Sequence, residues 1–422
     1  MSHFSPNQYF QVDIVSRPFW EMSQSIEIYS YNLLLALNKL KKESKLNVNL
    51  NLVETGYSLK RIIPPYGNIM SPIVYDLLAP ITSQAKIRQN PSIVHIVHHL
   101  LSPYAFGLNE IPIIVTIHHI PEYLDPEYYK IEREWFEVLF CNELDKYISK
   151  YQNIELAKSI LIDRKKMNVK DTLYSMHDIV SFKIAIQKAS AYLAVSSLTA
   201  LELKSFFPNY VSKRKIFVAP LAPSQDVIPI IGEQKQEKKK KIIIGYIGSH
   251  VSRKATYLII PLALLLKEAE KKYGPVFKLR VWGSGLLLPL IKRLTMLLNL
   301  NDVIIFEGTF NRKLATSVYH DIDILFLPSI KEGFSLPTLE AAIAGVPTIV
   351  FRKAKIPKEI KNLCIQVYSF DEIMQVLDDL ISSPDSYEDL SSHAKEGASK
   401  FSWDITAKKT LHAYIETATE LK

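Results

Sequence analysis

Two short runs, Ile324–Leu327 and Thr348–Phe351, bracket a stretch of different character, Ser329 to Pro347. Apolar runs of four residues bounded by turn-forming residues read as buried strands. A helical segment between two of them makes a βαβ unit in a parallel sheet. Pro337 suits the first helical turn, where a missing N–H costs nothing, and Gly345 can end the helix two residues before Pro347. Glu332 then falls in the loop after the first strand, and Glu340 about one turn into the helix. The crevice at the carboxyl ends of the strands is where doubly wound sheets bind ligands.

Two carboxylates eight residues apart, with the bare backbone of Gly333 between them, can accept hydrogen bonds from a polyol while the helix N-terminus faces an anion. A sugar joined to a nucleotide diphosphate offers both groups. The spacing from Glu332 to Glu340 resembles the Glu-x7-Glu motif of retaining glycosyltransferases of the GT-B fold, family 4. Pro328-Ser329 before it and Glu-Ala-Ala-Ile-Ala-Gly-Val-Pro after it are similar to that motif's flanks. The resemblance implies an α/β protein of two Rossmann-like domains, their parallel sheets facing across a cleft, with a C-terminal helix returning to the N-terminal domain. It also implies transfer of a hexose from a nucleotide-diphosphate sugar to a hydroxyl with retention of configuration, in glycan or glycolipid assembly. In it Glu340 would hold the ribose, while Glu332 with the backbone of Gly333, Phe334 and Ser335 would hold the sugar.

A chain of 422 residues is long enough for two or three domains, and 48% hydrophobic with 22% charged residues describes an ordinary globular protein. The longest apolar stretch, Leu258 to Leu266, is too short to cross a bilayer, and Met1 to Pro6 has no signal pattern. A cytoplasmic location is therefore the default expectation. Cys141 and Cys364 are far apart, so neither a disulfide nor a zinc framework is indicated, and both are expected to be small buried residues. The net charge of +8 is met by a nucleotide diphosphate or an anionic membrane surface and does not require nucleic acid. Of 13 glycines, eight lie between 241 and 345, which points to the second half as the side where backbone approaches a ligand.

In chain order, strands are expected at 9–15, 48–53, 93–97, 111–117, from Tyr192 and from Ile216, with an amphipathic helix through Leu33, Leu37 and Leu40. The entry to that helix is similar to the family's Gly-Ile-Gly segment, with Ser25 and Glu27 standing where the family has glycines. His118 ends its strand and matches the histidine of a family His-Asp pair, which implies a place at the donor sugar; His119 replaces the aspartate. His95, His98 and His99 could join His118, but no acidic or Cys ligand lies at usable spacing, so no metal and no cofactor is expected. Residues 121–181 read as helices covering the first sheet. Phe206, Phe207, Tyr210, Lys213, Arg214 and Lys215 have the composition of an interfacial patch, compatible with contact at the cytoplasmic membrane face, although such a run is more often a helix end and solvated loop. Domains are expected at 1–225 and 241–400, with 226–240 as linker and 401–422 as the returning helix.

The strand from Ile242 runs into Gly248-Ser249 and then Arg253-Lys254-Ala255, which resembles the family's Gly-Arg-x4-Lys-Gly phosphate loop. Lys254 matches the lysine, Ser249 stands at the arginine position, and Arg253 offers a cation from next door. The resemblance makes these two cations the stabilisers of the leaving diphosphate. Gly283, beside the nucleotide, and Gly308, Thr309 and Phe310, at the base, follow from it as well. Asp321 and Asp323 read as a helix-to-strand turn. Partners are then a nucleotide sugar and a glycan, glycolipid or protein acceptor. A nucleotide-sugar isomerase of the same shape and a non-catalytic nucleotide or glycan binder stay open, because the base, the sugar and the acceptor depend on loop shape.

Overall fold

A computed structural model describes residues 9–17, 25–44, 47–54, 87, 91–106, 108, 110–163, 169–224 and 241–420. The chain divides into two compact units. The first holds 1–125, 167–222 and 401–422; the second holds 126–166 and 223–400. Each contains a six-stranded sheet, ordered β2-β1-β3-β4-β5-β6 in the first and β12-β11-β10-β7-β8-β9 in the second. Every strand pairing is parallel.

The first sheet consists of β1 (Phe10–Ser16), β2 (Val48–Glu54), β3 (Ile93–Ile96), β4 (Ile113–Ile117), β5 (Ala191–Ala194) and β6 (Lys215–Val218). All residues of β3, β4 and β5 are buried, as a parallel sheet covered on both faces requires. The helix Ser25–Ser44 and the terminal helix Trp403–Glu420 belong to this unit. Tyr414 Oη lies 2.6 Å from His95 Nδ1, and Lys39 donates to Asp404 at 2.7 Å. These contacts dock the end of the chain on the first sheet.

The second sheet consists of β7 (Ile242–Ile247), β8 (Phe277–Trp282), β9 (Ile304–Gly308), β10 (Ile324–Leu327), β11 (Thr348–Phe351) and the short β12 (Ile365–Val367), which the sequence analysis did not anticipate. The strand order reverses at β7, which lies between β10 and β8. Loops leaving β7 and β10 therefore emerge side by side at a topological switch point. The helix after β10 spans Leu336–Ile343, with Pro337 in its first turn, and Gly345 follows it at φ 75°.

The structure corrects the expected boundary at one place. Residues 126–166 join the second unit instead of covering the first sheet. Trp135 packs edge-on to Phe351 at 5.4 Å, and Phe140 to Tyr257 at 5.6 Å, so these buried aromatics are part of the second core. Helical periodicity states that a face is apolar; it does not state which sheet will cover it. The proposed linker, 226–240, lies outside the described residues, as does most of the loop from Arg17 to Gln24. Cys141 and Cys364 are half-buried, not buried as expected. In the Phe206–Lys215 run Tyr210, Lys213 and Lys215 are exposed and Phe206, Phe207 and Arg214 half-buried; Phe207 packs on Phe182, Arg214 donates to backbone oxygens of Ile186 and Gln187, and Lys215 pairs with Glu416 at the surface.

Candidate active site

The two loops at the β7–β10 switch point are stitched together, because Ile330 N donates to the carbonyl of Arg253 at 2.9 Å. This places Glu332 against two cations. Lys254 Nζ donates to Glu332 Oε1, Ser329 Oγ donates to the same oxygen at 2.6 Å, and Arg253 Nη1 lies 3.5 Å from Oε2. Lys254 and Glu332 are only 6% and 4% exposed. Burial alone would raise the Glu332 carboxyl, but Lys254 and then Arg253 hold it below its ordinary value. Burial lowers Lys254, with Glu332 opposing the shift.

Glu340 has separate partners. Arg312 reaches it with both terminal nitrogens, Nη1 at 3.2 Å, and Tyr319 Oη donates to Oε2 at 2.8 Å. The Tyr319 hydroxyl is pushed far up by burial, with the Glu340 charge adding to the shift, so it stays protonated and donates. Arg312 and Tyr319 were not found from the sequence: they lie 28 and 21 residues before Glu340 in no motif. The acids eight residues apart thus each occupy their own buried cluster.

Between them the backbone takes a rare shape. Ser335 sits at φ 79° as the N-cap of the Leu336–Ile343 helix, and its Oγ lies 2.9 Å from Thr338 Oγ1. A left-handed conformation without glycine costs on the order of 1–3 kcal/mol and is sustained only where surrounding structure enforces it. Phe334 beside it is buried, and Ala255, directly after Lys254, is also left-handed at φ 43°.

The expected glycine positions line up across the sheet. Gly248 N donates to the carbonyl of Trp282, and Gly283 N to that of Gly308, at 3.3 and 2.7 Å. These residues mark the carboxyl ends of three neighbouring strands, β7, β8 and β9. A Cβ on Gly283 would stand 1.8 Å from the Gly248 carbonyl oxygen, so only glycine fits. Ser249 and Thr309 are exposed at this edge, and Phe310 packs half-buried against a core of Ile247, Trp282, Tyr319 and Ala341. His250 fills the space behind Gly283 and Gly285. It is fully buried, neither ring nitrogen has a hydrogen-bond partner among the described residues, and burial first, then Lys292, lowers it to about 4. Asp321 and Asp323 form the expected turn: Arg280 donates to Asp321, and Asp323 accepts from the Ile243 backbone at 2.9 Å.

Residues 228–397 match the model of the family described as glycosyl transferases group 1. The matched segment contains the whole corner just described. An uncharacterized glycosyltransferase of Methanocaldococcus jannaschii is 25% identical over 53% of the chain, and the match spans 59% of that relative. Sucrose-phosphate synthase from Thermosynechococcus elongatus superposes at TM-score 0.65 with 13% identity, over 96% of this chain and 98% of its own. HepE of Anabaena, solved with UDP and glucose, does so at TM-score 0.56 with 12% identity, over 97% and 100%. These likenesses establish the GT-B architecture of two Rossmann-like units.

His118 lies in the first unit, at the end of β4. Its Nε2 is 3.0 Å from the Val97 carbonyl, its ring stacks on His98 at 5.0 Å, and Tyr29 meets it edge-on at 4.8 Å. Burial lowers it to about 4 although the Val97 bond opposes this. Glu27, at the position of a family glycine, is buried 3.9 Å from Arg17, so a side chain fills the space a glycine would leave. No helix among the described residues is long and apolar enough to cross a membrane.

Proposed function

We propose that the chain is a retaining glycosyltransferase, moving a hexose from a nucleotide-diphosphate sugar to a hydroxyl of a glycan, glycolipid or protein. The observation that carries this reading is the buried Lys254–Arg253–Glu332 cluster at the β7–β10 switch point. In the resting protein the two cations neutralise Glu332. An arriving diphosphate competes for them and frees the carboxylate to accept hydrogen bonds from sugar hydroxyls. Glu340, already oriented by Arg312 and Tyr319, takes the ribose hydroxyls. The backbone of Gly333 to Ser335, Gly248, Gly283 and the Gly308–Phe310 edge complete the nucleotide side.

In the transfer the bond from C1 to the diphosphate oxygen breaks as a bond from C1 to the acceptor oxygen forms on the same face. The acceptor proton leaves with the diphosphate. Lys254 and Arg253 meet the charge that grows on the departing oxygen, which is where fixed cations lower a barrier most. No metal is assigned to this step. His118 is the residue of the first unit assigned to the sugar; its lowered pKa keeps it neutral and able to donate or accept one hydrogen bond. The UDP and glucose held by the similarly folded Anabaena protein support a nucleotide-sugar donor.

The test is a donor panel followed by thermal shift, with nucleotide release assayed with and without acceptors. Glu340→Ala should abolish the shift for every donor. Nucleotide release without acceptor, an inverted product, or full turnover by Glu340→Ala would each overturn the reading.

A further inference from the structure

The first unit gathers four imidazoles at the carboxyl ends of β3 and β4. His98 and His99 follow one strand, and His118 and His119 follow the other. Ring centroids lie 4.2 Å apart for His98–His99 and 5.4 Å for His99–His119. The helix Val169–Lys188 then supplies what the local sequence lacked. Asp178 Oδ1 accepts a hydrogen bond from His99 Nε2 at 2.7 Å, across 79 residues of chain. Ligand atoms of His99, His119 and Asp178 lie within 4.8 Å of one another. An acid distant in sequence thus joins the histidines in space, although none lies at ligand spacing along the chain.

We infer that His99, His119 and Asp178 form a site for one divalent transition-metal ion of the Zn2+ class, with water as fourth ligand. Two imidazole nitrogens and one carboxylate suit such an ion and not Mg2+ or Ca2+, which take oxygen. With bonds of about 2.0–2.1 Å, tetrahedral ligand atoms stand about 3.3 Å apart. The His99–Asp178 pair opens slightly to reach that spacing, and His119 closes in. His99 and Asp178 are buried, whereas His119 is half-buried and gives an entry from solvent. His99 also keeps Nδ1 buried with no hydrogen-bond partner among the described residues. The bound ion would tie the end of β4, next to His118, to the helix carrying Asp178. This holds whether or not the reaction proposed above is correct.

The experiment uses untagged full-length protein, stripped with a chelator and titrated with Zn2+ and Co2+. One equivalent per chain should bind, Co2+ should show the visible bands of a four-coordinate site, and Zn2+ should raise the melting temperature. Loss of even an outer partner of a metal ligand costs about 10- to 100-fold in affinity, so Asp178→Asn and His119→Gln should each lose at least that. Melting of the stripped His119→Gln protein, changed at a half-buried position, should match the stripped wild type and serves as the folding control. Absence of saturable one-equivalent uptake, or uptake unchanged in both variants, would overturn the site.

Discussion

Both units place polar clusters at the carboxyl ends of parallel strands, yet they make them soluble in a protein interior by opposite means. In the second unit the Lys254–Arg253–Glu332 corner keeps its charges and cancels them. In the first unit the histidines lose their charge: His95, fully buried between Tyr414 and Thr116, is lowered to about 3 by burial, and His118 to about 4. A compensated pair stays stable until one partner is removed, whereas a neutral cluster is stable until protons arrive.

Removing one partner is the hardest test. Glu332→Leu leaves Lys254 buried and uncompensated, and should cost about 3–5 kcal/mol of stability in urea unfolding. The double change Lys254→Met with Glu332→Leu should recover most of that loss while turnover stays absent; an equal loss in both would break the contrast. Acid comes next. His95 and His118 are held low, so the unfolded chain takes up protons first and stability falls as pH drops below about 6.5. By pH 5 the loss should be about 2 kcal/mol for each histidine. Glu332 is also held low, so its contribution is intact at pH 5 and is lost only as pH falls from about 4.5 down through its lowered folded value. Hydrogen exchange resolved by residue should therefore show the first sheet, with both His95 and His118 held low, loosening more at pH 5 than the second, where His250 is likewise held low, and equal loosening would refute the distinction.

A smaller effect is expected at Glu340. Tyr319→Phe removes one donor from a buried carboxylate and should cost about 1–3 kcal/mol, with a raised KM for the donor and little change in kcat if Tyr319 only positions the acid. Ala255→Gly should change stability by less than about 1 kcal/mol, because relief of the left-handed conformation is offset by a freer unfolded chain.

The corner itself was legible because its parts are local. Strand, loop and helix from Ile324 to Phe351 follow one another in sequence, and the glycines at 248, 283 and 308 mark strand ends where backbone must approach backbone. Arg312 and Tyr319 were not legible, since an arginine and a tyrosine in a helix-and-loop segment carry no periodic signal for a carboxylate elsewhere.

The sequence by itself determined the alternation of strands and helices, the parallel sheets they make, and the loop and helix on which Glu332 and Glu340 sit, because apolar periodicity and turn chemistry act within a few residues. Only the tertiary structure decided which unit would bury the aromatics of 126–166, that Asp178 would meet His99, and which cations would face which acid. Those outcomes depend on packing between segments tens to hundreds of residues apart, where side-chain type allows many partners and only geometry selects one.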